Sequence, residues 1–260
     1  MSWAGGDVTG FARCVLAPNP GPMTLDGTNT WVLSAPGASR AVVVDPGPDD
    51  AAHLAAVVRA VQERGARVGL VLLTHGHLDH SESAGAFAAG LGVPVRALDP
   101  AHRFGDEGLA GGDVVELDGL AVEVVATPGH TGDSLSFVLP QAAALLTGDT
   151  VLGRGTTVVA HPDGRLGDYL DSLRRLEELV ARRALAHLLP GHGPVLADPA
   201  TVVRAYLRHR AERLDQVRAA VAGGARTPRE VVERVYADVP PEVWPAAELS
   251  VRAQLEYLKP

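Results

Sequence analysis

One cysteine, one lysine and no long apolar run define this 260-residue sequence by what it lacks. Cys14, standing alone, forms no internal disulfide and builds no thiolate cage, so finger-type structural zinc is excluded and any metal must be held by histidine and carboxylate. The longest charge-free stretch, Ser134 to Gly148, is interrupted by Pro140 and falls short of the roughly 18 to 20 apolar residues that a bilayer span needs. No membrane partner is therefore expected. The N-terminal MSWAGGDVTGFAR has neither a basic segment followed by an apolar one nor the Arg-rich pattern of a transit peptide, so a cytoplasmic location is the expectation. A formal charge of −8 argues against bulk binding to nucleic acid, which depends on neutralising phosphates. The single lysine, Lys259, against 22 arginines reads as compositional bias of the source genome.

What is present is an ordinary globular balance, with 46% hydrophobic and 21% charged residues. Short β-branched runs alternate with loops and helices from Phe11 to Leu139, the pattern of a layered α/β domain. Strands are expected over 11–17, 29–34, 40–45, 68–74, 93–97, 120–126, 134–139 and 142–147. Leu54, Val57, Val58 and Val61 are spaced for a helix from Asp49 to Arg64 with Asp49 as N-cap, and Leu170, Leu173, Leu176 and Leu179 for another from Asp168 to Arg183. After Leu196 the chain becomes almost continuous helix. Residues 200–260 carry ten basic against eight acidic side chains, leaving the acidic excess to the first 199. Two modules are expected: an α/β domain over 1–199, which the motifs below make the candidate catalytic domain, and a helical one over 200–260. Thr227-Pro228-Arg229-Glu230 has capping-box spacing and predicts a helix to about Ala237. Pro240-Pro241 breaks it, and a last helix is expected from Ala246 to Leu258 with Leu249, Leu255 and Leu258 on one face.

Five of the ten histidines lie in short turns rich in Gly, Thr or Asp. The run ending at Thr74 leads straight into HGHLDH, placing His75, His77, Asp79 and His80 at the carboxyl end of a strand, where α/β folds put ligands. In so tight a segment these side chains point to different sides, so one loop can serve two adjacent metals. Three more turns, each after an apolar run, present His130 in TPGH, Asp149 in LLTGDT and His192 in LLPGHG. Glycines beside each allow close backbone approach.

These motifs, with Asp45 in VVVDPG, resemble the metallo-β-lactamase-fold hydrolase superfamily. The resemblance implies a four-layer αββα sandwich. It also implies one metal held by His75, His77 and His130, a second held by Asp79, His80 and His192, and Asp149 bridging both. Two Zn²⁺ per chain are expected, with iron or manganese as substitutes, sharing a bridging hydroxide on which Asp79 and Asp149 act as the catalytic carboxylates. Asp45 would orient a ligand rather than bind metal.

NPGPMTLDGTNTWVL, TGDTVLG, GDYLDSLRRL and the tail more specifically resemble the β-lactamase-like protein 2 group, which adds a small winged-helix-like module. The ending at Leu258-Lys259-Pro260 departs from that group, which usually continues into a final wing. The group includes a mitochondrial single-strand endoribonuclease and fungal polyketide thioesterase relatives. β-Lactam hydrolysis is demoted, since true β-lactamases usually lack the bridging aspartate and often use a cysteine ligand. The expected activity is thus hydrolysis of a small ester, thioester or lactam, with single-stranded RNA cleavage as the alternative and a non-catalytic binding role third. By family analogy Met23, Leu25, Asn29 and Thr30 lie near the metal mouth, and Arg154, His161 and Tyr169 are further candidates for substrate contact. Arg204, Arg208, Arg210 and Arg213 read as a solvated helix face sooner than as a phosphate path. All expected metal ligands precede the tail, so the metal site is expected to form without it, while Leu207, Leu214, Val217 and Val221 need a surface to bury against.

Overall fold

The computed structural model describes residues 2–259. Twelve strands form two six-stranded sheets, each ordered as in the sequence. The first holds β1 (Gly6–Thr9), β2 (Ala12–Leu16), β3 (Asn29–Leu33), β4 (Arg40–Val44), β5 (Arg67–Leu72) and β6 (Val95–Arg96). The second holds β7 (Val114–Leu117), β8 (Leu120–Ala126), β9 (Leu135–Leu139), β10 (Ala144–Gly148), β11 (His187–Pro190) and β12 (Leu196–Ala197). β4, β5 and β6 run parallel, as do β10 and β11; the other pairings are antiparallel.

Side-chain alternation assigns the layers. Val42 and Val44 of β4, Leu135, Phe137 and Leu139 of β9, and Leu146 of β10 meet between the sheets around Trp31 and Leu33. Their neighbours Val43 and Val71 face the other way, onto Val57 and Val61 of α1 (Ala51–Glu63) and Phe87 of α3 (Ala84–Leu91), which follows the single turn α2 (Leu78–Ser81). Val138, Leu145 and Leu188 pack under Leu170, Leu173 and Leu176 of α4 (Leu166–Arg183). Strands buried on both faces read as continuous apolar runs, and the result is the expected αββα sandwich.

Three helices complete the chain: α5 (Pro199–Ala222), α6 (Pro228–Val235) and α7 (Trp244–Tyr257). Val203, Tyr206 and Leu214 of α5 join the core beneath α4, whereas Val217, Val231, Val232 and Val251 form a small core of their own.

Several local expectations change. The cap of α1 is Asp50, whose carboxylate takes the His53 amide at 2.7 Å; the Asp49 amide is instead held by Glu82. In α7 the inward face carries Ala247, Val251 and Ala253, so Leu249 is exposed, as is Val221 on α5. Arg210 is buried rather than part of a solvated face. The Thr227 cap is as the sequence implies, with its hydroxyl accepting from the Glu230 amide, but α6 stops at Val235. Among the described residues, no helix is long and apolar enough to cross a membrane.

Candidate metal centre

Strand ends converge on one edge of the sandwich. β4 delivers Asp45, β5 the HGHLDH loop, β8 His130, β10 Asp149 and β11 His192. Asp45 organises the first two: Oδ1 accepts the Thr74 amide at 2.8 Å, while Oδ2 accepts the Thr74 hydroxyl at 2.6 Å and faces His80 Nδ1 at 2.9 Å. His80 must then donate through Nδ1, which turns Nε2 into the site. The other imidazoles are fixed likewise: His75 Nδ1 lies 3.0 Å from the Thr74 hydroxyl, His130 Nδ1 2.8 Å from the Val158 carbonyl and His192 Nδ1 3.1 Å from the Gly27 carbonyl.

The inward nitrogens form two sets. His75 Nε2 and His130 Nε2 lie 3.1 and 3.0 Å from His77 Nδ1. Across the site, His192 Nε2 lies 3.2 Å from His80 Nε2 and 3.1 Å from Asp79 Oδ2. Ligand atoms on a tetrahedral zinc stand roughly 3.3 Å apart, close to these spacings. Asp149 sits between the sets: Oδ2 is 3.7 Å from His130 and 3.4 Å from His192, and Oδ1 is 3.5 Å from His80. That Oδ1 is buried with no hydrogen-bond partner among the described residues. Such an orphan in a ring of oriented imidazoles fits a cation better than it fits a settled polar core. Gly191 leaves the required room, since a Cβ there would stand 2.4 Å from Asp149 Oδ1.

Electrostatics separates the two sets. Burial, reinforced by neighbouring His80, pushes His75 well below the usual histidine range, and burial likewise lowers His130 against the pull of Asp149. At His192 burial is outweighed by Asp149 and Asp79, holding it up to about 11; Asp149 and Asp45 raise His80 in the same way. Burial acts against the charge on Asp149, yet His192 and His80 hold that carboxyl well below its ordinary value. Asp79 is lowered too, its burial outweighed mainly by His192 and His80.

All seven metal-competent residues read from the sequence are therefore brought together. Other candidates prove structural. Asn29 spends its amide on the carbonyls of Pro190 and Gly193, at 2.9 and 2.8 Å, pinning the His192 turn, while its oxygen accepts from Trp3 and Cys14. Burial pushes the Cys14 thiol far up, leaving it inert. Tyr169 is buried with its hydroxyl on the Thr150 carbonyl, and His161 lines a separate cavity with Tyr257. Thr30 donates to the Asp45 carbonyl. Met23, Leu25 and Arg154 do lie at the metal mouth, with Arg154 paired to Asp26.

One contributor, Tyr206, escaped the sequence reading, and another, Arg210, entered it only as part of a solvated helix face. Tyr206 on α5 accepts the Leu152 amide at 2.9 Å, and Arg210 donates to the Thr157 carbonyl while covering the Tyr169 ring. On the His77 side a cavity of about 470 Å³ is lined by Asp99, Asp133, Asp163 and His102, with no Lys or Arg among its lining residues.

The chain matches the metallo-beta-lactamase superfamily over residues 23–192 and the beta-lactamase associated winged helix domain over 227–259. A Caenorhabditis elegans protein named beta-lactamase-like protein 2 homolog is 32% identical over 256 residues, covering 94% of this chain and 82% of that one. An Aspergillus fumigatus protein named atrochrysone carboxyl ACP thioesterase is 32% identical over 253 residues, covering 88% and 74%. A beta-lactamase domain protein from Burkholderia ambifaria shares the fold, with a TM-score of 0.81 at 23% identity over 99% of this chain and 89% of that one. So does a metallo-beta-lactamase family protein from Thermus thermophilus, with a TM-score of 0.78 at 24% identity over 95% and 93%.

Proposed function

This chain belongs to the metallo-beta-lactamase superfamily, and from that premise we propose that it is a dinuclear zinc hydrolase of small thioesters and esters. The observation that carries the reading is the Asp149 carboxylate between two sets of inward-facing donors, one oxygen buried and unpartnered. His75, His77 and His130 would hold one ion and Asp79, His80 and His192 the other, with Asp149 shared. Bound there, zinc supplies a Lewis acid for the substrate carbonyl and lowers the pKa of water to near neutrality.

The protein's own groups do the positioning. Asp45, Thr74 and the carbonyls of Val158 and Gly27 hold the imidazoles in the tautomer that turns the ligating nitrogen inward. Asp79, less buried than Asp149 and 3.1 Å from His192 Nε2, is assigned to orient the attacking water. Water adds to the acyl carbon, the carbon–sulfur bond breaks, and the products are a thiol, a carboxylate and one proton.

A thioester is favoured by the relative named as a thioesterase. RNA is disfavoured by the acidic cavity beside His77, because a polyanion would meet Asp99, Asp133 and Asp163 with no basic side chain lining that cavity to offset them. The test is elemental analysis after zinc-supplemented expression, then a panel of a thioester, a cephalosporin and single-stranded RNA. About two zinc ions per chain and preferential thioester turnover are expected. Absence of any transition metal removes the basis of the mechanism, and preferential RNA cleavage replaces the substrate reading.

A further inference from the structure

On the side of the metal centre formed by His130 and Asp149 lies a cavity of about 160 Å³. Its floor is the loop from Leu152 to Val158 and its roof the segment from Pro22 to Leu25. Leu152, Val158, Leu25 and the half-exposed Met23 supply an aliphatic wall, and Thr156 and Thr157 add polar groups from the same loop. Arg154, the basic residue on the rim, is already paired with Asp26, so the cavity does not offer an open cation to a phosphate or carboxylate. The floor is fixed from below by Tyr206 on the Leu152 amide and Arg210 on the Thr157 carbonyl. The roof is closed by a bridge between Gly21 and Leu25. The cavity is thus braced above and below, carries one aliphatic wall and is continuous with the metal centre.

We propose that this cavity receives the acyl chain of the substrate and limits it to about six carbons, an inference that rests on the hydrolase reading above. The limit follows from volume. An aliphatic cavity of about 150 Å³ holds one benzene ring, whereas pockets for large ligands span roughly 300 to 1,000 Å³. With the reacting carbonyl beside His130 and Asp149, the chain runs between Leu152 and Met23. Each methylene that enters leaves water and raises kcat/KM by about fourfold. A longer chain must push Met23 aside or remain in solvent, and the gain stops.

The experiment uses the full zinc-loaded chain and N-acetylcysteamine thioesters with acetyl, butanoyl, hexanoyl, octanoyl and decanoyl groups. The profile should rise to about hexanoyl and then level or fall. Met23→Trp, a change at a half-exposed roof position, should lower the hexanoyl-to-acetyl ratio about tenfold, and Val158→Ala should move the optimum toward octanoyl. Independently of turnover, hexanoate should protect the protein against thermal unfolding more than acetate or decanoate does, and Met23→Trp should abolish that difference. A profile rising smoothly through decanoyl and untouched by Met23→Trp overturns the acyl site. If none of the thioesters is cleaved, the hydrolase reading fails instead, and the hexanoate measurement alone decides whether the cavity binds acyl chains.

Discussion

Arg210 donates from α5 to the Thr157 carbonyl, and Thr157 in turn donates its hydroxyl to the Asp149 carbonyl at 2.7 Å. Through this pair the C-terminal helices reach the loop that follows Asp149 and, at Val158, the carbonyl that orients His130. Arg210→Ala is expected to cost about 2 kcal/mol, lowering Tm by roughly 4 to 8 °C, because the Thr157 carbonyl loses its partner and a void opens over Tyr169. Arg210→Met keeps the packing and loses only the tether, so Tm should fall less while zinc affinity, read by chelator competition, still drops about tenfold. Equal zinc affinity in the wild type and the methionine variant would assign Arg210 to packing alone.

Asp45 holds three groups at once and does so from a left-handed backbone, φ 52°. Asp45→Asn would set amide hydrogens against the Thr74 hydroxyl and His80 Nδ1, where acceptors are required. Zinc affinity at the Asp79, His80 and His192 set should fall about 10- to 100-fold, with smaller change at the other. Titration with a zinc indicator separates the two sites, and a uniform loss at both would contradict this role.

HGHLDH, His130, Asp149 and His192 were legible because each stands in a glycine-marked turn after an apolar run, and the structure brings all of them to one edge. The short edge strand β7 was not legible, since Val-Val-Glu-Leu alternates over only four residues. α3 hides for another reason: Gly85 and Gly90 weaken its intrinsic propensity, and burial of Ala84, Phe87 and Ala88 supplies the stabilisation instead. Arg210 resembles Arg204, Arg208 and Arg213 in sequence. Only the packing of α5 on α4 turns it inward toward Tyr169 and Thr157.

Asp149→Ala should lower thioester turnover by more than about tenfold, because the one carboxylate facing both donor sets is removed from between His80, His130 and His192. Asp79→Ala should be comparably damaging. Steady-state kinetics on folded, metal-loaded variants checks both, and full activity of Asp149→Ala would remove it from the shared position.

His53 gives a stability dependence on pH that is separate from the donor sets. Its ring lies buried 2.9 Å from the Thr30 hydroxyl, and burial lowers its pKa below the ordinary 6.5 despite the Pro46 carbonyl and Asp50. The unfolded chain therefore binds the proton more tightly than the folded one. Stability from this residue is complete above 6.5 and is lost as the pH falls below that value toward the folded-state pKa. The Tm difference between the wild type and His53→Gln should shrink on acidification through this window. A difference independent of pH would show that the ring titrates alike in the folded and unfolded states, against the lowering by burial.

The helical tail supplies the final prediction. Every proposed metal ligand precedes it, and on that ground alone a chain cut after Leu196 should still bind zinc. The contacts argue otherwise. Such a cut removes Val203, Tyr206 and Leu214 from the core under α4, exposing Leu170, Leu173 and Leu176, and it removes the partners of the Leu152 amide and the Thr157 carbonyl. Each buried leucine returned to water costs about 1.5 to 3 kcal/mol, and a few such losses rival the whole stability of a domain. A cut after Gly224 leaves α5, Tyr206 and Arg210 in place and removes mainly α6 and α7, which share the small core around Val217 and Val251. The shorter product is expected to aggregate and to bind zinc weakly, while the longer should retain soluble zinc binding with a reduced Tm. Size-exclusion chromatography with metal analysis of both decides it. Full zinc binding by a soluble chain ending at Leu196 would mean that the 152–158 loop holds its shape unaided.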